Sequence, residues 1–131
     1  MHHATGAFEV KLTPQISDPP LGRMSIEKQF HGGLEGASKG EMLTAGSGAK
    51  GSSGGYVALE QFTGTLDGRK GSFILQHSGT MTRGTPHLVV TVVPDSGTEQ
   101  LVGLGGQFNL VIKDGSYDFH SYDFEYTLPE H

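Results

Sequence analysis

The sequence predicts an all-β fold: a single antiparallel up-and-down barrel of about eight strands. Three observations carry that prediction. Apolar and polar residues alternate with a period of two along most of the chain, not with the 3.6 period of a helix. The alternating runs are separated by turn chemistry, with Gly32-Gly33, Asp67-Gly68 and Asp114-Gly115 between them. Glycine makes up 21 of 131 residues, more than twice the usual share of about 7%. Outside one flexible stretch these glycines interrupt strands, where they mark turns, bulges and tight barrel corners.

Residues 5–13 read as a first strand, because Phe8, Val10 and Leu12 alternate with Glu9, Lys11 and Thr13. Pro14, Pro19 and Pro20 then mark a loop. Met24, Ile26, Lys28 and Phe30 alternate with Ser25, Glu27, Gln29 and His31 in a second strand, and Gly32-Gly33 turns into a weaker third one over Leu34 to Thr44. Gly46 to Gly55 is a flexible loop by composition. Tyr56 to Leu66 and Gly71 to Met81 form a strong hairpin about Asp67-Gly68. Thr82 to Thr85 turns into the β-branched run His87 to Val93, and Pro94-Asp95-Ser96-Gly97-Thr98 is a turn held by its own side chains.

Glu99 to Leu104 is the one helix-like segment, and two glycines follow it closely. Leu101 to Ile112 carries Gly103, Gly105 and Gly106 and then an apolar strand; Asp114-Gly115 turns the chain, and Tyr122, Phe124, Tyr126 and Leu128 form the last strand. Ser116-Tyr117-Asp118-Phe119 recurs five residues later as Ser121-Tyr122-Asp123-Phe124. An odd repeat length reverses face in a strand, so both copies can point their aromatics the same way only across a bulge. The expectation is a hairpin loop for the first copy and a strand for the second. Eight such strands can close into a barrel with room for one small ligand; a two-sheet sandwich is the alternative. The whole of 1–131 reads as one domain, with 1–3 and 130–131 as disordered or cloning-derived ends.

Composition excludes several functions. There is no cysteine, hence no disulfide and no thiolate metal site. The formal charge is -5 and the Lys and Arg residues are scattered, so no basic footprint for nucleic acid exists. No apolar run approaches the ~20 residues of a membrane helix. No secretory signal precedes the first strand, which leaves the cytoplasm as the expected compartment. Gly103-Leu104-Gly105-Gly106 misses the dinucleotide spacing, and the Gly46 to Gly55 stretch misses the phosphate-loop order. Ser78 sits in His77-Ser78-Gly79 rather than a nucleophile elbow. His31, His77, His87 and His120 belong to no ligand motif, so neither a metal nor another cofactor is expected.

Taken together, several segments resemble a known family. They are Tyr56-Val57-Ala58-Leu59-Glu60, Gly68 to His77, Val93-Pro94-Asp95-Ser96-Gly97-Thr98 with Leu101 and Gly103, Phe30-His31-Gly32, and the closing Tyr122, Phe124, Tyr126 and Leu128. The chain is similar, over roughly residues 4–129, to the bacterial domain-of-unknown-function family 3224, whose fold is similar to the allene oxide cyclase barrel. The resemblance implies a closed barrel of about eight strands with an internal cavity, and no catalytic mechanism. The tandem Ser-Tyr-Asp-Phe segment departs from the family pattern and implies a lengthened loop at one barrel mouth.

The chemistry-bearing group is Tyr56, Glu60, Gln76 and His77. Tyr56, Ala58 and Glu60 share one strand face; Val57, Leu59 and Gln61 share the other. If the apolar face is the outer one, Glu60 points inward. A two-residue turn at Asp67-Gly68 sets Glu60 near Leu75 and Gln76, so either Gln76 or His77 shares its face. In an apolar cavity the carboxyl of Glu60 is expected to rise in pKa and become a candidate acid or base. Gln76 is then a candidate oxyanion donor and Tyr56 a candidate proton donor or substrate anchor, with His77, Phe62 and Phe73 as candidate ligand contacts. The structural alternative ties Glu60 to Arg69, Arg83 or Lys28, because buried charges are usually paired. Three functions remain open: a carrier of a small, largely apolar molecule; a cofactor-free isomerase or cyclase; and a homo-oligomer with a filled core, the outer Val89 and Val93 face burying the subunit contact.

Overall fold

The computed structural model of the chain describes residues 1–18, 20–46, 51–113 and 116–129, with the side chains of 16–18, 112–113 and 116–119 left aside. Its eight strands are β1 (His2–Asp18), β2 (Leu21–Gly32), β3 (Leu34–Gly46), β4 (Gly54–Leu66), β5 (Arg69–Thr82), β6 (Thr85–Val92), β7 (Gly105–Lys113) and β8 (Ser116–Thr127). They pair antiparallel in sequence order, and β8 returns to β1, so the sheet closes into a barrel rather than a sandwich. Closure removes both sheet edges. No helix is long and apolar enough to cross a membrane among the described residues.

Asp67 (φ 48) and Gly68 (φ 85) both take positive φ in the β4–β5 hairpin, the geometry of the two-residue turns that follow the sheet's own twist. That turn sets the register, with Glu60 opposite Leu75, one of the two expected neighbours, and Ala58 opposite His77. Inward positions follow every second residue, which gives Phe8, Phe30, Phe62, Phe73, Phe108, Tyr122 and Phe124 a common core.

Four expectations need correction. Strand β1 does not stop at Pro14 but runs through it, with a register shift between Pro14 and Ile16. Among the described residues β1 pairs with β8 only as far as Ala7, so the missing N–H of Pro14 breaks no ladder on that side. The glycine stretch is shorter as a loop than its composition suggests, since Gly54 and Gly55 already belong to β4. The helix-like segment is a single 3-10 turn, Glu99–Leu101. The first Ser-Tyr-Asp-Phe copy is strand, not loop: Leu110 pairs with Tyr122 while Val111 pairs with Asp118, so β8 carries a bulge between the two copies. The Asp114-Gly115 turn and part of the glycine stretch lie outside the described residues.

Among the described residues the barrel is filled at one end and carries a recess toward the other. At the filled end Leu34, Leu66, Phe73, Phe124 and Tyr126 fill the interior, and the buried Leu101 and Leu104 fold across it. Ser96 Oγ donates to Val93 O at 2.7 Å and accepts from Ile74 N at 3.0 Å. Thr98 Oγ1 accepts from Ser72 N at 3.0 Å. The turn is thus held by its own side chains and also laced to β5. Tyr122 Oη donates to His31 O at 2.8 Å and accepts from Leu34 N at 2.9 Å, pinning β8 to the β2–β3 turn. One seam is thin: among the described residues the β6–β7 ladder is the single pair Thr91 with Gln107.

Candidate functional site

Above the aromatic plug lies a layer of polar side chains drawn from three consecutive strands and the one after them. Lys28 (β2), Ser38 (β3), Glu60 (β4) and His77 (β5) all occupy inward positions of otherwise apolar or glycine-rich faces. Gly40 makes room for the carboxylate: a Cβ there would lie 2.2 Å from Leu59 O and 2.7 Å from Glu60 Cβ. Only glycine lets β3 approach Glu60 so closely.

Glu60 is fully buried and fully satisfied. Its Oε1 accepts from Lys28 Nζ at 2.8 Å and faces His77 Nε2 at 2.5 Å; its Oε2 accepts from Ser38 Oγ. An ionised carboxylate only accepts, so His77 Nε2 carries the proton. In the neutral imidazole Nδ1 is then the acceptor, and Tyr56 Oη stands 3.3 Å from it as the donor. The ammonium of Lys28 also sits over ring faces, 5.2 Å from the centroid of Phe8 and 5.9 Å from those of Phe30 and Phe108.

Burial is the largest influence on the Glu60 carboxyl and raises its pKa. The hydrogen bond from His77 and the charge of Lys28 outweigh burial and hold it at about 2 instead of 4.5. This reverses the rise expected for a lone carboxyl in an apolar cavity, because two donors and a cation converge on it from other strands. Burial first, and the charge of Glu60 second, push Tyr56 up to about 12, so it stays a phenol.

On the side of this layer away from the plug is a recess of about 220 Å³. Val10, Leu12, Ile26, Met42, Leu88 and Leu110 wall it, and Lys28, His77 and Tyr56 reach it from below. Val10 and Leu12, 40% and 44% exposed, are open to this space rather than to a packed core. Tyr56, Met42 and Leu88 also line a neighbouring hollow of about 340 Å³ toward Ser52–Tyr56 and Thr80–Met81, so the two spaces adjoin.

The structure therefore brings Tyr56, Glu60 and His77 together and separates the other candidates from them. Gln76 pairs with Leu59 on the outer face and is exposed, on the opposite side of the sheet from any inward group. Phe62 and Phe73 are packed ring against ring at 5.1 Å in the plug, and neither walls the recess. Arg69 and Arg83 are exposed; the cation on Glu60 is Lys28. Ser38 escaped the sequence reading, since a serine among glycines carries no distinguishing pattern. Outside the barrel, His3, Asp123 and Glu125 bring ligand-type atoms within 4.8 Å of one another, but His3 Nδ1 already pairs with Asp123 Oδ1 at 2.9 Å in an exposed position.

Residues 4–126 match the family described as protein of unknown function DUF3224. The chain is also similar to the crystal structure, at 1.84 Å resolution, of a protein of unknown function from that family in Shewanella oneidensis MR-1. The two share 45% identity at a TM-score of 0.87, over 100% of this chain and 99% of the other. No match is found among curated proteins. An eight-stranded closed barrel, a family match over nearly its full length and a close structural relative all agree: the chain belongs to the DUF3224 family.

Proposed function

We propose that the recess of the barrel binds a small, largely apolar molecule. The observation that carries this reading is the recess itself: apolar walls with two hydrogen-bonding groups at the floor. Binding pockets combine apolar lining with a few placed polar groups in this way. The filled-core alternative accounts for the plugged end only.

Methyl NMR during titration with 1-hexanol tests it. Saturable shifts at Val10, Leu12, Ile26, Leu88 and Leu110 are expected, and Leu88→Trp, which fills the space, should remove them. Shifts confined to the outer Leu43, Val57 and Leu59, or no saturable shift, would contradict the reading.

A second reading, proton transfer by a cofactor-free isomerase or cyclase, is favoured by the line Tyr56, His77, Glu60. A carboxylate near pKa 2 is a poor base at neutral pH. Glu60 instead fixes the His77 tautomer, and Tyr56 with His77 Nδ1 would face the substrate. The likeness to the allene oxide cyclase barrel belongs with this reading as fold-level analogy. Glu60→Gln should then abolish turnover while a carrier keeps its affinity. The outer wall of Leu43, Val57 and Leu59, each more than half exposed, supports a further proposal, that the chain self-associates through this face.

A further inference from the structure

We infer that the recess selects uncharged molecules carrying a hydroxyl or carbonyl group, and that Tyr56 and His77 receive that group. The inference rests on the reading of the recess as a binding site and names the chemistry it takes.

The charges at the floor are already balanced. Lys28 and Glu60, one charge of each sign, are paired at 2.8 Å. Ser38 donates to the other oxygen of Glu60, and His77 Nε2 faces the same oxygen as Lys28. Among the described residues no buried side-chain polar atom lacks a partner, so no ion is waiting for a counter-ion. Among the described residues the Lys28 ammonium is the one cation that reaches the recess, and it is covered by three phenyl faces, with its side chain only 9% exposed.

A carboxylate or ammonium entering this space would lose its hydration, and the ammonium that lines it is already paired with Glu60. The desolvation of an unpaired ion is far more costly than that of a neutral polar group. Displacing Glu60 from Lys28 would in turn strand a buried carboxylate.

The pair left for a ligand is Tyr56 and His77. Tyr56 Oη and His77 Nδ1 are 3.3 Å apart, longer than the usual 2.7–2.8 Å or so of a hydroxyl hydrogen bond. A ligand hydroxyl can accept from Tyr56 and donate to Nδ1; a carbonyl can accept from Tyr56. Both groups lie at the recess floor, with apolar wall above them for a hydrocarbon tail.

The test compares 1-hexanol, 2-hexanone, hexanoate and hexylammonium at neutral pH, with the same methyl shifts as readout. Hexanol and hexanone should bind at least about tenfold tighter than either ion. Tyr56→Phe should weaken hexanol by about tenfold and leave the ion affinities little changed. Hexanoate or hexylammonium binding as tightly as hexanol, with the shifts still inside the recess, would overturn the neutral selectivity while the binding reading stands. Failure of all four probes to move the recess methyls would overturn both. The wild-type comparison stands without the variant, should Tyr56→Phe fail to fold.

Discussion

Lys28 and Glu60 meet at 2.8 Å inside the barrel although a whole strand, β3, lies between the strands that carry them. The contact is possible because β3 presents only Ser38 and Gly40 on the inward face at that level. The pair, with His77, lies between the aromatic plug and the recess of about 220 Å³.

Breaking that pair from one side should be costly. Glu60→Gln leaves a buried ammonium without its counter-ion, and Lys28→Met leaves a buried carboxylate; each should lose roughly 3–5 kcal/mol in urea unfolding. The double replacement Lys28→Met with Glu60→Leu should cost clearly less than the two single losses added, because apolar residues can replace a buried pair nearly neutrally. Simple additivity would show that the two charges do not depend on each other.

The pH dependence follows from the same carboxylate. Its folded pKa lies below the unfolded value, so its contribution is present above about 4.5 and is lost as the pH falls toward about 2. Thermal melts of the wild type should weaken through that window, by a contribution on the order of 3 kcal/mol, and Glu60→Gln should flatten this part of the curve. The tyrosines act in the other direction. Burial raises Tyr56 and Tyr126 to about 12, so their contribution holds below 10 and is lost between 10 and 12. An acid limb of equal depth in Glu60→Gln would contradict the assignment.

Local opening should concentrate at the β6–β7 seam. One ladder pair joins these strands, whereas β4 and β5 pair along their whole length. Amide exchange is expected to be fastest at Leu88, Val89 and Asn109, and slowest in β4 and β5. Leu88 and Leu110 wall the recess from either side of the seam, so bound 1-hexanol should slow exchange there. Uniform protection around the barrel would refute the weak seam.

The outer wall makes a separate prediction. Leu43→Glu and Val57→Lys should shift sedimentation toward the monomer without changing 1-hexanol affinity, since neither side chain faces inward. A wild-type chain that sediments as a monomer at high concentration would rule out self-association by this face.

Much of this was legible in the sequence. The period-two alternation and Asp67-Gly68 were enough to place Glu60 near Leu75 and Gln76, and the structure sets it opposite Leu75, because turn type fixes register in a hairpin. The Lys28–Glu60 pair also left a trace, as one charge of each sign on an otherwise apolar face, Ile26-x-Lys28-x-Phe30 and Ala58-x-Glu60-x-Phe62. Three features were not legible. The choice of His77 over Gln76 depends on the register to a single residue. The direction of the Glu60 shift depends on partners 17 and 32 positions away in sequence. The withdrawal of Phe62 and Phe73 from the recess depends on which end of the barrel is plugged. That in turn depends on Leu101 and Leu104 folding over one end, which strand alternation does not encode.

The most direct test of the recess is a crystal structure with 6-bromo-1-hexanol. The account predicts anomalous density for bromine among Val10, Leu12 and Leu110, with the hydroxyl within hydrogen-bond reach of Tyr56. Bromine found only over Leu43, Val57 and Leu59 on the outer wall, with nothing inside the barrel, would contradict it.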